Sequence, residues 1–290
     1  MNMVTVSNKC NGISGFLYRK TARFLPDRLY IKSRYKICFG RPLRLNPPRS
    51  FNEKISWLML NDRDPRNHLL VDKVRVKEIV SDLIGSEHVI PTLGVWRSAS
   101  EIDFESLPEA FILKCNHDSG SAIICNDKST FDVEEARASL QKSLNIDYYK
   151  FSREWCYKDV PRRILAEPLL NPDGSHLDDY RFFCSGGEPR LVYVSTAGHI
   201  NFLSPDWRLL PFARTDYPPQ ATLPEKPSKF EEMLEISRIL SKGKRFVRVD
   251  LYQVDEVVLF AELTLSPSSG MMPLASAEQD IELGKMFPDV

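Results

Sequence analysis

The residues best placed to do chemistry lie in the segment 246–271, FVRVDLYQVDEVVLFAELTLSPSSGM. Val247, Val249 and Leu251 alternate with Arg248 and Asp250, so one face of a strand is apolar and the other charged. The next run repeats the pattern, with Ala261 and Leu263 on one face and Glu262 and Thr264 on the other. A turn centred on Glu256 sets Asp250 opposite Glu262 and Arg248 opposite Thr264. Two carboxylates directly opposite each other repel. A hard divalent cation such as Mg2+, which takes oxygen ligands, relieves that repulsion. A neighbouring cation such as Arg248 relieves it equally well on an ordinary solvated strand face.

Three further groups share the same polar, donor-rich character. Lys114 ends the apolar run FILKC, where an ammonium needs an anionic partner. The loop after it, NHDSGS at 116–121, is small and rich in donors. It suits a flap over phosphates, and it equally suits a plain hairpin turn, since GxxxxGK[ST] is absent. Lys73 and Lys77 stand one helical turn apart, as a cationic binding face or as solvated surface. Glu167 ends the apolar run RILAEPLL and Asp179 opens the next one. Glu167 suits an adenine amino group and Asp179 a ribose hydroxyl, or both are ordinary strand-end acids.

The elements that must position these groups follow from periodicity. Ser50-Phe51-Asn52-Glu53 reads as a capping box opening a helix with Ile55, Leu58 and Met59 on its apolar stripe. A second helix is expected over about 68–83, ending before Gly85. Helices are expected at 132–144 and 230–241, where apolar residues recur at helical spacing. Between them, short β-like runs dominate: HVIPTLGVW, FILKCNH, SAIICND, RILAEPLL, YRFFCS, RLVYVST, FVRVDLYQV and EVVLFAELTLS. Pro and Gly cluster at 171–174, 186–189 and 217–227, and neither a repeat nor a low-complexity segment is present. The pattern predicts an α+β architecture built mainly on antiparallel sheet.

Composition narrows the class. At 290 residues, 42% apolar and 27% charged, the chain can bury a core and is neither a fibre nor a polytopic membrane protein. Its 39 basic and 39 acidic side chains cancel, which argues against a nucleic-acid-coating protein. The balance is uneven, however. Residues 1–50 hold eleven Lys and Arg against one acid, Asp27. Phe16, Tyr18, Phe24, Tyr30, Tyr35 and Phe39 are interleaved with those cations. This segment is expected either to dock on an anionic membrane or acidic polysaccharide, or to wrap on the acidic remainder and bury its aromatics. No DNA-binding motif accompanies it. The N-terminus does not read as a signal peptide, and no run of 18 apolar residues occurs. The cysteines at 10, 38, 115, 125, 156 and 184 form no CxxC pair and are expected to be reduced thiols in a cytoplasmic protein. The histidines at 68, 88, 117, 176 and 199 show no zinc-type spacing.

Taken in order, the pieces resemble the ATP-grasp superfamily: Asp72-Lys73, LKCNHDSG at 113–120, AEPLL at 166–170, DYRFF at 179–183, RVD at 248–250 and ELTLSP at 262–267. FNEKISWL, VDKVRVKEIV, IPTLGVW, LPEAFILKCNH, REWCYKDV, DDYRFFC, FVRVDLY and AELTLSPSSG bring the chain closer to the TupA-like branch, named for teichuronopeptide synthesis, over roughly residues 25–272.

The resemblance implies an ATP-grasp fold, with a nucleotide between two mainly antiparallel sheets and a basic helical N-terminal extension. It implies an extension at 1–62, an N-terminal subdomain at 63–110, a nucleotide-binding lid at 111–167 and a C-terminal subdomain carrying the metal site at 168–290. It also implies ATP and Mg2+, with Lys73 and Lys114 on the phosphates and the loop His117, Ser119, Gly120 and Ser121 closing over them. Glu167 would hold the adenine edge and Asp179 the ribose. Arg181 and Arg248 would act on the charge that develops in the reaction, and Asp250, Glu262 and Thr264 would hold the metal. Asp118 stands where the family's loop has Gly, and Thr264 where many relatives have Asn.

The implied activity is carboxylate–amine ligation in bacterial surface-polysaccharide synthesis. An acidic sugar or polysaccharide acceptor and an amine would be the substrates, and the protein would be cytoplasmic, at or near the inner membrane face. A kinase on the same fold and an inactive nucleotide-binding scaffold are the rival readings.

Overall fold

The computed structural model describes residues 22–171 and 177–290. Cys10, Phe16, Tyr18, the stretch Pro172-Asp173-Gly174 and His176, all named above, lie outside the described residues. The first α-helix among the described residues is α1 (Asp27–Phe39), which stops at Gly40. That residue takes a left-handed φ of 69° and donates its amide to Lys36 O, closing the last turn. Next comes α2 (Phe51–Asn61), opened by the expected capping box: the Glu53 amide donates to Ser50 Oγ at 3.3 Å and the Ser50 amide to Glu53 Oε2 at 3.1 Å.

The single helix expected over 68–83 is two, α3 (Asn67–Val71) and α4 (Arg75–Ile84). The break is made by Asp72. Its buried carboxylate accepts from the Val74 amide at 2.9 Å, from Asn116 Nδ2 at 2.8 Å and from Arg163 Nη2 at 2.7 Å. An acid that caps one helix and anchors two distant segments holds the backbone out of helical geometry there. Lys73 therefore stands on a turn and not on a helix face.

Then follow β1 (Gly94–Trp96), β2 (Phe111–Cys115), β3 (Ile123–Cys125), α5 (Val133–Leu144), α6 (Tyr148–Ser152), β4 (Ile164–Pro168), β5 (Asp179–Ser185), β6 (Glu188–Thr196), β7 (His199–Leu203), α7 (Phe230–Ser241), β8 (Val247–Val254), β9 (Val257–Thr264) and α8 (Ala277–Lys285). Two sheets result, a four-stranded one in the order β1-β4-β2-β3 and a five-stranded one in the order β7-β6-β5-β8-β9. Every neighbouring pair of strands is antiparallel. Sequence periodicity missed α1, α6, β7 and α8; the resemblance alone implied a helical N-terminal extension. Helix α8 carries a readable start, since Ser276 caps it by accepting from the Gln279 amide at 3.2 Å.

Alternation along the strands divides the five-stranded sheet into two faces. One face is apolar: Phe182, Val192, Val247, Val249 and Leu251 pack on α7 and α4. The opposite face is apolar only toward one end, where Phe183, Tyr193 and Phe202 meet Tyr30, Tyr35, Phe51 and Phe287. Tyr30 and Tyr35 are completely buried, whereas Arg28, Lys32, Lys36, Arg44 and Arg49 are exposed. From Tyr30 onward the basic segment packs as a wrap, with its tyrosines in and these cations out, whereas Phe24 is 81% exposed. Its one acid, Asp27, accepts from Tyr149 Oη at 2.7 Å and pairs with Arg153 at 3.2 Å.

A third core, with Phe111, Leu113, Ile164 and Leu140, joins the four-stranded sheet to α5. Cys38 is disulfide-bonded, which corrects the expectation of six thiols, while Cys115, Cys125, Cys156 and Cys184 are free and buried. No helix among the described residues is long and apolar enough to cross a membrane.

Candidate active site

The β8–β9 hairpin realises the expected pairs, Asp250 opposite Glu262 and Arg248 opposite Thr264, by a different route. The turn has two residues, Asp255-Glu256, with Asp255 at φ 51°, and it pairs Val254 with Val257 and Leu251 with Phe260. Run on unbroken, that register would set Glu262 opposite Val249, on the core face. A β-bulge between Asp250 and Leu251 makes Ala261 the extra residue, and both Ala261 and Glu262 then line the cavity. A one-residue shift flips a side chain to the other face of a sheet, and bulges are used to re-aim side chains in this way.

Register also builds a row across all five strands: Phe202, Tyr193, Arg181, Asp250 and Glu262 are successive partners. Arg248 stands in the adjoining row, beside Phe183 and Thr264. It donates from Nε to Asp250 Oδ1 at 2.7 Å, and from Nη2 to Asp250 Oδ2 and, at 3.0 Å, to Glu262 Oε1. Arg181 pairs with Asp179 through Nε at 2.7 Å, and its Nε lies 3.7 Å from Asp250 Oδ2.

The two acids differ in consequence. Burial pushes the Asp250 carboxyl up to about 7 against the pull of Arg248 and Arg181. Burial also raises Glu262, but Arg248 and Lys73 outweigh it and hold that carboxyl down at about 2. Thr264 Oγ1 donates to Glu262 Oε1 at 3.0 Å. Glu262 thus spends Oε1 on both protein donors, leaving Oε2 without a protein partner among the described residues.

The facing wall comes from the four-stranded sheet and its loops. Lys114 reaches Glu167 Oε2 at 2.6 Å, and Lys77 reaches Glu167 Oε1 at 2.5 Å. Register places Lys114 opposite Leu165, two residues from Glu167 on the paired strand. Burial raises the Glu167 carboxyl, but Lys114 and Lys77 win and hold it below the usual range. Lys73 donates to the backbone carbonyl of Asp118. Burial lowers the Lys73 ammonium, with Glu262 opposing the shift. The Asp118 carboxylate is occupied within its own loop: Ser121 Oγ donates to Oδ1 at 2.6 Å, while the Cys115 amide donates to Ser121 Oγ at 2.8 Å.

Between the walls lies a cavity of about 540 Å3, the size of a small-molecule site. Lys73, Lys114, Asp118, Ser119, Gly120, Ser121, Glu167, Asp179, Arg181, Asp250 and Glu262 all line it. Three expected site residues do not. His117 is buried with Nε2 3.2 Å from Ile146 O. Arg248 stands behind the two acids, and Thr264 supports Glu262. Asp179 Oδ1 is a buried acceptor with no partner among the described residues.

Sequence reasoning passed over the apolar part of the wall, formed by Ile90, Ile112, Ile124, Leu169, Leu177 and Tyr252. It also left the role of Lys77 open, because the fragment showed only its helical spacing from Lys73. Among the described residues no group of three or more His, Cys, Asp or Glu is placed to hold a metal. Asp250 and Glu262 nevertheless form an all-oxygen pair of the kind Mg2+ takes when phosphate oxygens and water complete its shell.

Two antiparallel sheets thus face each other across a cavity lined by Lys73, Lys114 and Arg181 together with the acids Asp118, Glu167, Asp179, Asp250 and Glu262. The sequence pattern of the family described as TupA-like ATPgrasp matches residues 53–288, and the chain belongs to that family. The fold is thus the ATP-grasp fold, of α+β class. None of the curated proteins matches the chain.

Among solved structures the chain is similar to D-alanine–D-alanine ligase from Helicobacter pylori, at 14% identity over 83% of this chain and 68% of that one, with a TM-score of 0.44. The corresponding ligase from Bacillus anthracis, complexed with ATP, matches at 12% identity over 82% and 69%, with a TM-score of 0.40. The ATP-grasp ligase PsnB, complexed with a precursor peptide and AMPPNP, matches at 10% identity over 86% and 65%, with a TM-score of 0.39.

Proposed function

We propose that the protein is an ATP- and Mg2+-dependent ligase that joins a carboxylate to an amine. The observation that carries this reading is the convergence of Lys73, Lys114 and the 118–121 loop with the register-paired acids Asp250 and Glu262 on one cavity. In this reading the lysines and the loop bind the ATP phosphates. Ile90, Ile112, Leu169 and Tyr252 enclose the base, Glu167 stands at its edge, and the unpaired Asp179 Oδ1 accepts from a ribose hydroxyl. Asp250 and the free Oε2 of Glu262 hold Mg2+, while Thr264 orients Glu262. When bound, Mg2+ neutralises phosphate charge and orients the transferred group.

The substrate carboxylate oxygen attacks the γ-phosphorus and ADP leaves. The amine then attacks the acyl carbon, phosphate leaves, and the nitrogen gives up a proton. The chain's own contribution is positioning and charge stabilisation, which dominate phosphoryl transfer. Arg181 lines the cavity and is the arginine we assign to the developing charge; Arg248 works through Asp250 and Glu262.

By family likeness, the setting is bacterial cell-surface polysaccharide synthesis in the cytoplasm, with a uronic-acid or glutamyl carboxyl and an amino acid or peptide-like amine as substrates. The exposed cations of α1 are the face we assign to an acidic glycan or an anionic membrane surface.

The test is ADP release by purified protein with ATP and Mg2+ over a panel of uronic acids and amino acids. Release that requires both partners, and a hydroxamate when hydroxylamine replaces the amine, is the expected result. A stable phosphoester formed without an amine would mark a kinase. Bound ATP with no ADP under any combination would mark a scaffold.

A further inference from the structure

Lys77 stands within the first turn of α4, behind the cavity wall and not on it. Its ammonium meets three acceptors: Glu167 Oε1 at 2.5 Å, Ile90 O at 2.6 Å and Thr92 Oγ1 at 3.0 Å. An ammonium has three donors, so none is left for a ligand. Lys114 approaches the same carboxylate from the other side and has one partner among the described residues, Glu167 Oε2 at 2.6 Å. Two of its donors remain, and it lines the cavity.

Glu167 itself is 3% exposed. A buried carboxylate that loses its only cation is strongly disfavoured. With Lys114 as sole partner, Glu167 would hold that lysine back from any incoming anion. The second lysine removes this conflict, because Lys114 can turn to a phosphate while Glu167 keeps a cation and its position. Burial lowers the Lys77 ammonium below its usual value, with Glu167 opposing the shift.

We propose that Lys77 is a positioning residue that holds Glu167 as a fixed anion and thereby frees Lys114 for the nucleotide phosphates. This rests on the reading of the cavity as a nucleotide site.

The test measures AMPPNP binding with Mg2+ by calorimetry for the wild type, Lys77→Met, Glu167→Gln and the double variant. Lys77→Met should weaken binding by roughly ten-fold or more. Removing the carboxylate charge should relieve the defect, so that Glu167→Gln and the double variant bind alike within about three-fold. A lysine that merely pins Ile90 and Thr92 would give a defect that Glu167→Gln does not relieve, and that outcome overturns the proposal.

Wild-type affinity in Lys77→Met also overturns it while leaving the nucleotide reading intact. Absence of AMPPNP binding to the wild type overturns both. If Lys77→Met does not fold, Glu167→Gln and the double variant decide the matter alone: equal affinities support the role, and a ten-fold gap overturns it.

Discussion

On the five-stranded wall, Arg181, Asp250 and Glu262 occupy consecutive register positions on paired strands, with Arg248 braced behind them. On the facing wall, Lys73 and Asp118 stand on loops, while Lys114 and Glu167 belong to strands. Arg181 and Asp250 stand on strands laddered on both sides, and Glu262 stands on the edge strand β9, held to β8 and braced by Arg248 and Thr264, so these charges move by rotamer changes. The charges of the second differ in that they are engaged in side-chain bonds that a ligand can exchange: Lys73 to the Asp118 carbonyl, Ser121 to Asp118, Lys114 to Glu167. A rigid charged row facing a wall of exchangeable cations suits a site that must fix reacting groups on one side and admit and release phosphate on the other.

The comparison breaks most sharply at its acids. Glu262→Ala removes a cavity-facing carboxylate and should lower Mg2+-dependent turnover by about 100-fold or more while leaving the fold intact. Asp250→Ala should abolish turnover and also destabilise the protein by about 3–5 kcal/mol in urea unfolding, because it strands the buried Arg248. If both variants unfold alike, the wall is not braced as described.

The support beneath the wall is tested by Glu154, which is buried and accepts from Ser269 Oγ at 2.8 Å, in the loop after β9. Burial pushes its carboxyl up to about 7 against Ser269 and Arg34. A folded-state value above the usual one means that its contribution is fully present below about pH 4.5 and is lost as pH rises through 7. Thermal unfolding should therefore show Glu154→Gln matching the wild type near pH 5 and exceeding it at pH 8, by on the order of 2 kcal/mol. Parallel pH profiles would remove Glu154 from the account.

The smallest effect belongs to the exchangeable wall. Asp118→Asn keeps an acceptor for Ser121 but removes a negative charge from beside the proposed phosphates. It should tighten AMPPNP binding by about three-fold at low salt, with the gain shrinking as salt rises. Weaker binding would mean that the charge is needed to hold Lys73.

Much of this was legible from residues, and the misses have physical causes. The Ser50 capping box, the helices at 132–144 and 230–241, and most strands follow local rules of capping and periodicity. The Asp250–Glu262 pair was also foreseen, although from a turn one residue too long. The real turn is shorter, and a bulge at Ala261 restores the count; two departures cancel, and neither has a local signature. Lys73 and Lys77 read as neighbours on one helix face because the break at Asp72 depends on Asn116 and Arg163, far away in sequence. His117 read as part of the phosphate loop, but its ring packs inward toward Ile146 because Asn116 is tied to Arg163 and Pro161.

By itself the sequence determined which residues carry charge, which face of each strand is apolar, and the order of motifs that places the chain in its family. These are properties of residue type and local periodicity. Only the tertiary structure decided which charges meet. Glu167 is shared by two lysines from different elements, Arg248 bonds both acids and does not line the cavity, and the basic N-terminal segment, from residue 22, buries its tyrosines in a core. Each of these depends on contacts between segments remote in the chain, where burial cost and pairing geometry, not local propensity, choose the partner.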